Sequence, residues 1–321
     1  MDQTALEKYY GSGKIPEDFD ALWDTWITEI RQMPSEYEII EQPCFYKDVI
    51  YEWLIFRGTG GEKIYCHILR PQKAEKKPVL FQFHGYSANS GDMFEKLPYV
   101  YNDMVIIAMD TRGQGGLSED HTITKGSTWQ GHIVRGISEG RENLLLRKVF
   151  LDIVKLVQIT KKLPFCNSEK MACMGFSQGG GLSVACAALN PEIQVAGIGY
   201  PFLSDYRKAC ELSKNGKYQA YEELGLYFKV RDPLHEREEE FFRILDYIDV
   251  SYLAKRINAK CLCFCGLQDE LVPLETQYAV FNQIKAEKRM YIYPEYGHEV
   301  LPGTGEIVLR ELLDVFKSMK P

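Results

Sequence analysis

Apolar residues recur along this chain at two periods, and the switches between them lay out its elements. Phe19, Leu22, Trp23, Trp26, Ile27 and Ile30 repeat at helical spacing behind Pro16, which predicts an amphipathic helix packed on a core. Residues 49–56 and 63–69 flank Gly58-Thr59-Gly60-Gly61, the pattern of a hairpin leading into a sheet. From there short apolar runs at 78–83, 105–110, 170–174, 260–265 and 289–294 alternate with helical stretches. Such alternation predicts an α/β protein with a doubly wound, mostly parallel sheet. One interruption, about 203–250, is helical in composition, and its charged run at 231–240 reads as a solvated helix face. The expected organisation is a single domain over 1–321. It carries an N-terminal helical and hairpin extension about 1–70 and a helical insertion about 203–250, placed before the strand at 260–265.

Chemistry concentrates at Gly175-Phe176-Ser177-Gln178-Gly179. The apolar strand at 170–174 precedes it, and a helical run at 180–189, stopped by Asn190-Pro191, follows. A serine on a Gly-x-Ser-x-Gly turn between strand and helix is the context of a nucleophile elbow. The flanking glycines suit a strained turn where a β-carbon would clash, and the helix N-terminus beneath the serine favours negative charge. Alone, the five-residue pattern arises by chance in roughly one chain in ten of this length, so its neighbours decide.

Asp269 follows the strand at 260–265, and His298 follows the strand at 289–294. Both lie in loops beyond a strand's carboxyl end, where open α/β sheets place their sites. Ser, Asp, His is the chain order of the α/β-hydrolase triad. Glu270 and Glu299 are adjacent carboxylates that could compete for the acid's role, although each follows its partner on the loop. Upstream, the strand at 78–83 ends in His84-Gly85-Tyr86, where hydrolases of this fold place half of an oxyanion hole. The backbone N–H groups of Tyr86 and Gln178 are the expected donors.

Other chemistries fit poorly. The loop Arg112-Gly113-Gln114-Gly115-Gly116 after the strand at 105–110 resembles a dinucleotide turn, but Ser118 stands where the third glycine belongs. Residues 119–126 also read as a loop rather than a helix, and there is no Walker A pattern. Cys261, Cys263 and Cys265 alternate along one strand and share a face. Side chains two apart on one strand, without a neighbouring histidine, make a poor metal tetrahedron, so they read as buried hydrophobes.

The chain resembles the acetyl xylan esterase / cephalosporin C deacetylase family of carbohydrate esterases. The likeness rests on Arg112-Gly113-Gln114, Gly175-x-Ser177-Gln178-Gly179 and Gly297-His298-Glu299, and extends through His84-Gly85-Tyr86, Pro201-Phe202-Leu203 and Gly266-Leu267-x-Asp269. It spans about residues 10–318. The resemblance implies the α/β-hydrolase fold and an intracellular serine esterase that removes acetyl groups from small substrates, often as a hexamer. Acetylated xylo-oligosaccharides, other acetylated sugars and cephalosporin C remain open as substrates. By its motifs Ser177, Asp269 and His298 form the triad, Tyr86 and Gln178 the oxyanion hole, and Phe202 and Leu271 the acyl pocket. Arg112 and Gln114 brace loops. One departure, Leu144-Leu145-Leu146-Arg147, stands where relatives carry tyrosines before the arginine, and puts surface or subunit contacts in question. Tyr218, Tyr221, Tyr227 and Phe228 of the insertion either wall the pocket or anchor the insertion.

Composition narrows the field further. At 45% apolar and 26% charged the 321 residues can build a large core, and a net charge of −7 without a basic stripe disfavours nucleic acid. No apolar run nears the roughly 18 residues of a membrane span, and the first seven residues lack a leader's basic and apolar regions. Nine cysteines without CxxC pairs suit a reducing cytoplasm. The chemistry requires neither metal nor organic cofactor. A short-chain carboxylesterase or lipase-like hydrolase, a carbon–carbon bond hydrolase, a serine peptidase lacking its usual gating domain, and an inactive binding protein of the same fold are the competing readings.

Overall fold

The computed structural model describes residues 3–73, 75–125, 131–214, 216 and 218–319. Met1 and Asp2, at the start read for a leader, and Gly126, the far end of the loop expected over 119–126, lie outside them. Strands β1 (Tyr37–Gln42), β2 (Val49–Arg57), β3 (Lys63–Pro71), β4 (Lys77–Phe83), β5 (Val105–Met109), β6 (Cys166–Phe176), β7 (Ile193–Gly199), β8 (Lys260–Gly266) and β9 (Lys288–Tyr293) form one sheet. Their order is β1-β2-β3-β5-β4-β6-β7-β8-β9. β1, β2, β3 and β5 pair antiparallel, and from β5 to β9 every pairing is parallel. The mostly parallel sheet and its entering hairpin are therefore as the pattern predicts. β1 was not foreseen: no residue in Tyr37–Gln42 is fully buried, and backbone pairing with β2 and the half-buried Ile39 hold this edge strand.

Parallel pairs need crossovers, which the helices supply. The helices are α1 (Gln3–Leu6), α2 (Phe19–Gln32), α3 (Leu97–Val100), α4 (Leu145–Thr160), α5 (Gln178–Leu189), α6 (Tyr206–Ser213), α7 (Glu222–Arg231), α8 (Glu238–Leu245), α9 (Val250–Ala254), α10 (Leu274–Gln283) and α11 (Thr304–Ser318), of which α1 and α2 precede the sheet and α11 follows it. Side chains alternate across each strand, so the sheet separates two cores. Val79, Phe81, Ile107, Cys173 and Cys261 join the core built with α2, α4 and α5, while Leu80, Ile106, Ala172 and Leu262 join the one under α11. Every residue of α5 is buried, which makes it the central helix. Cys261, Cys263 and Cys265 are buried and unpaired, and burial pushes the Cys261 and Cys265 thiols up to about 12.

Two sequence expectations change. Leu144, Leu145 and Leu146 are fully buried at the start of α4, and Arg147 lies 4.2 Å over the Trp26 ring. The departure at this position is a matter of core packing against α2, not of surface. The charged run at 231–240 is not one helix face either. Pro233 cannot continue α7, and the buried Asp232 accepts the N–H groups of Glu236 and Arg237, both at 2.9 Å, so the chain turns before α8.

Buried charges fasten the extensions to this frame. Arg112, 1% exposed, donates to both Asp152 oxygens at 2.7 and 2.8 Å and to the Thr59 carbonyl at 3.0 Å, and its Nη1 lies 3.2 Å from Glu62. It thereby joins the β2–β3 hairpin, the loop after β5, and α4. The insertion is fastened by Glu223 on α7, whose Oε2 accepts the N–H groups of Ile133 at 3.0 Å and Val134 at 3.1 Å. Its Oε1 accepts the phenol of Tyr86. Burial pushes the Glu223 carboxyl up to about 7, against the pull of those donors.

Replacing Arg112 with Met leaves Asp152 and Glu62 buried without a cation. We expect a loss of about 3–5 kcal/mol in urea unfolding, and a loss near zero would show that the two carboxylates find other partners. For Glu223 the folded value lies above the ordinary 4.5, so the bound proton stabilises the fold fully below about 4.5 and this contribution is lost as pH rises through about 7. Glu223→Gln has no such proton to lose. Thermal melts at about pH 5 and pH 8 should show the variant gaining on the wild type by on the order of 3 kcal/mol as pH rises. An unchanged difference would contradict the burial of this carboxyl.

Candidate active site

The loops that leave the carboxyl ends of β4, β6, β7, β8 and β9 carry the residues singled out above. Ser177 joins β6 to α5 at φ 58° and ψ −122°, a conformation costing a non-glycine residue about 1–3 kcal/mol. The turn is held from several sides. The Ser177 N–H donates to the Gly199 carbonyl at 3.0 Å, and its own carbonyl accepts the N–H groups of Phe202 and Gly181, both at 3.0 Å. A Cβ on Gly175 would lie 2.4 Å from the Gly179 oxygen, and one on Gly179 would lie 2.1 Å from the Phe83 oxygen. The close approach of strand, turn and helix thus leaves glycine as the fitting residue at both positions.

Asp269 and His298 meet across the next two loops, with Asp269 Oδ2 2.9 Å from His298 Nδ1. The other acceptor positions of Asp269 are filled by N–H groups of Leu271 at 2.9 Å and Val272 at 2.8 Å on Oδ1, and by Gln277 Nε2 at 3.1 Å on Oδ2. Its side chain is wholly buried. Nδ1 must donate to the carboxylate, which leaves Nε2 as the nitrogen able to accept a proton. Neither neighbouring glutamate makes this contact: Glu299 Oε1 accepts the Gly297 N–H, and Glu270 offers its backbone carbonyl to Tyr218 N–H. The ring of Tyr200 stands 4.4 Å from the imidazole, and its hydroxyl donates to the Glu299 carbonyl at 3.1 Å.

The loop after β4 is fixed by His84. Its Nδ1 lies 2.7 Å from the Gly85 carbonyl, and its Nε2 accepts the Thr111 N–H at 2.9 Å. A carbonyl partner requires the proton on Nδ1, and burial lowers the ring's pKa, so His84 is a neutral strut rather than a titrating base. Gln178 opens α5, where the first N–H groups of a helix have no internal partner. Its buried side chain exchanges two hydrogen bonds with Gln114, at 2.8 and 2.9 Å, while Gln114 Oε1 also accepts the Ser87 N–H at 2.9 Å. The Arg112-Gly113-Gln114 loop therefore braces the turn at Gln178 and the segment after Tyr86.

Phe202 is buried between Tyr86, at 5.5 Å between ring centroids, and Tyr221 of the insertion, at 4.4 Å. Leu271 is tied to the site by its backbone, and its side chain is 39% exposed. Of the insertion's aromatics, Tyr221 reaches Phe202, whereas Tyr227 and Phe228 pack on Phe241 within the insertion itself. Glu223, Tyr200 and Gln277 were not foreseen. Tyr200 carried a positional signal, directly before Pro201-Phe202 at the end of β7. Glu223 and Gln277 carried none, since each acts through partners distant in sequence.

Among the described residues there is no cluster of acidic, histidine or cysteine side chains able to hold a metal ion, and no helix long and apolar enough to cross a membrane.

Comparison with known proteins agrees over almost the whole chain. The family model described as acetyl xylan esterase (AXE1) matches residues 1–310. Acetyl esterase Axe7A of Xylanibacter ruminicola is 25% identical over 313 residues, 96% of this chain and 68% of that protein. The crystal structure of acetyl xylan esterase 1 from Thermoanaerobacterium sp. JW/SL YS485 aligns with a TM-score of 0.94 at 40% identity, over 98% of this chain and 99% of that one. The acetyl xylan esterase from Paenibacillus sp. R4 aligns with a TM-score of 0.92 at 30% identity, over 98% and 99%. This chain belongs to the acetyl xylan esterase family and is a carboxylic ester hydrolase of the α/β-hydrolase fold.

Proposed function

We propose that Ser177, His298 and Asp269 are the catalytic triad of a serine esterase that removes acetyl groups from acetylated xylo-oligosaccharides and related small acetylated sugars. The observation that carries this reading is the Asp269–His298 hydrogen bond, which commits Nδ1 and frees Nε2. His298 Nε2 takes the Ser177 hydroxyl proton as the oxygen attacks the acetyl carbonyl, and Asp269 stabilises the resulting imidazolium. The Tyr86 and Gln178 N–H groups hold the tetrahedral oxyanion, each donor contributing about 3–4 kcal/mol. The intermediate collapses as the carbon–oxygen bond to the sugar breaks and His298 protonates the departing hydroxyl. Water then attacks the acetyl-Ser177 ester by the same steps and releases acetate.

Phe202 and Leu271 wall the acyl pocket in this reading, and the insertion acts as its lid over a single catalytic domain. The packing of Tyr221 on Phe202 supports an insertion that limits acyl length. We further propose a cytoplasmic homohexamer. Nine unpaired cysteines suit a reducing compartment, and Phe45 and Val300, 89% and 87% exposed, offer apolar surface for assembly.

Hydrolysis of 4-nitrophenyl acetate, butyrate and octanoate tests the chemistry. The wild type should favour acetate strongly, and Ser177→Ala should lose roughly 10⁴-fold or more in kcat. Comparable rates on octanoate would favour a lipase-like hydrolase, and activity retained in Ser177→Ala would overturn the triad. Light scattering on the purified protein should give six times the chain mass, and a stable monomer at micromolar concentration would overturn the hexamer.

A further inference from the structure

One buried carboxylate of the insertion reaches the loop that carries the proposed oxyanion donor. Glu223, 8% exposed, accepts the Tyr86 phenol on Oε1, while Oε2 is occupied by the N–H groups of Ile133 and Val134. The same phenol oxygen accepts the His132 N–H at 2.6 Å. The Tyr86 ring is thus hydrogen-bonded at its tip in both directions and packed on its sides by Phe202 and by His132, whose ring centroid lies 4.7 Å away. A tyrosine side chain has two principal torsions, so a ring held at its tip and along its sides leaves its own peptide little freedom. That peptide carries the donor N–H, and a donor to a developing oxyanion must keep its place to about half an ångström.

We propose that Glu223 is a positioning residue for the esterase reaction: by holding the Tyr86 phenol, it fixes the backbone N–H that receives the oxyanion. The inference rests on the serine-esterase reading above, in which Tyr86 supplies that donor. The two donors share one brace, since Gln114 Oε1 accepts the Ser87 N–H at 2.9 Å and Gln178 Nε2 donates to the Gly85 carbonyl at 3.4 Å, but only the Tyr86 side chain is held by the insertion. Gln178 sits at the head of a buried helix with its amide locked to Gln114, a contact made wholly within the sheet's own loops. His84 and Gln114 hold the backbone of the Tyr86 loop, and the anchor of the Tyr86 ring comes from α7. Gly131 is drawn close by the same carboxylate, since a Cβ there would lie 2.5 Å from Glu223 Oε2. Placement of α7 against the 131–134 segment therefore completes the oxyanion site, and the insertion contributes to turnover as well as to access.

The test compares wild type, Tyr86→Phe, Glu223→Gln and the double variant on 4-nitrophenyl acetate near pH 8, with inhibition by phenylboronic acid. The boronic acid bonds the Ser177 oxygen to boron, passes the proton to His298 and presents a tetrahedral anion to the same donors. Tyr86→Phe removes one oxygen and keeps the backbone N–H. Each single variant should lower kcat about tenfold or more while KM moves less than about threefold. Phenylboronic acid should weaken by a matching factor, and the double variant should be no slower than the slower single one. Unchanged kcat in both singles, losses that multiply in the double, or an effect confined to KM would overturn the inference. So would a loss of kcat without any change in boronic acid affinity, the mark of a merely structural role. Tyr86→Phe alone decides the matter if Glu223→Gln fails to fold. Failure of the underlying reading shows itself separately: Ser177→Ala would retain turnover and phenylboronic acid would not inhibit the wild type.

Discussion

The backbone of Ser177 is the constraint on which the rest of this site depends. A serine at φ 58° and ψ −122° persists only where the surroundings over-determine it. Here the surroundings are the carboxyl ends of three adjacent parallel strands. β4 supplies the Phe83 carbonyl that Gly179 must pass, β6 supplies the turn, and β7 supplies the Gly199 carbonyl that accepts the Ser177 N–H. α5 is buried along its full length, so the turn cannot relax by swinging the helix outward. Strain at one residue is sustained by packing over dozens.

The same geometry aims everything else. Because β8 and β9 run parallel beside β7, their following loops emerge at the same edge of the sheet, where Asp269 and His298 meet. Asp269 has no spare acceptor position pointing elsewhere: two backbone N–H groups hold one oxygen, and Gln277 and His298 share the other. A carboxylate pinned in this way presents a fixed partner to the imidazole. Glu299 is placed on the same loop as His298 but turns its carboxylate to the Gly297 N–H, and Glu270 beside Asp269 meets the insertion through its backbone carbonyl.

Much of this was legible in the sequence, because it depended on local pattern. Apart from β7, the strands from β2 onward announce themselves as short apolar runs, and the elbow, acid and histidine each follow one. Residues 49–69 read as a hairpin because glycines separate two β-rich runs. What could not be read depended on partners far away along the chain. β1 has no buried face to leave a pattern. Nothing local tells that Leu144 to Leu146 are core rather than contact surface; the structure buries them and sets Arg147 over Trp26 of α2. The run at 231–240 looks continuous in charge, yet Pro233 and the buried Asp232 break it. Glu223 is one of two adjacent glutamates, and nothing local tells that it is the one that enters the protein. Its burial is decided by Tyr86 and by the 131–134 segment, about ninety residues or more upstream.

That placement sets stability against catalysis at a single residue. A carboxyl whose pKa is raised by burial makes the folded state less stable at neutral pH than a neutral group of the same shape would. Arg112 and Asp152 show the other way this fold treats buried charge, by pairing it with an opposite charge in bidentate geometry. Glu223 receives a phenol and two amides instead, donors that orient a carboxylate without neutralising it. A cation beside Glu223 would relieve the burial cost but would compete with Tyr86 for the carboxylate. A hydrophobic residue would leave the Ile133 and Val134 N–H groups and the phenol without an acceptor. A carboxylate is the group that serves both segments at once, and the price in stability follows from the task of joining the insertion to the loop beside Ser177.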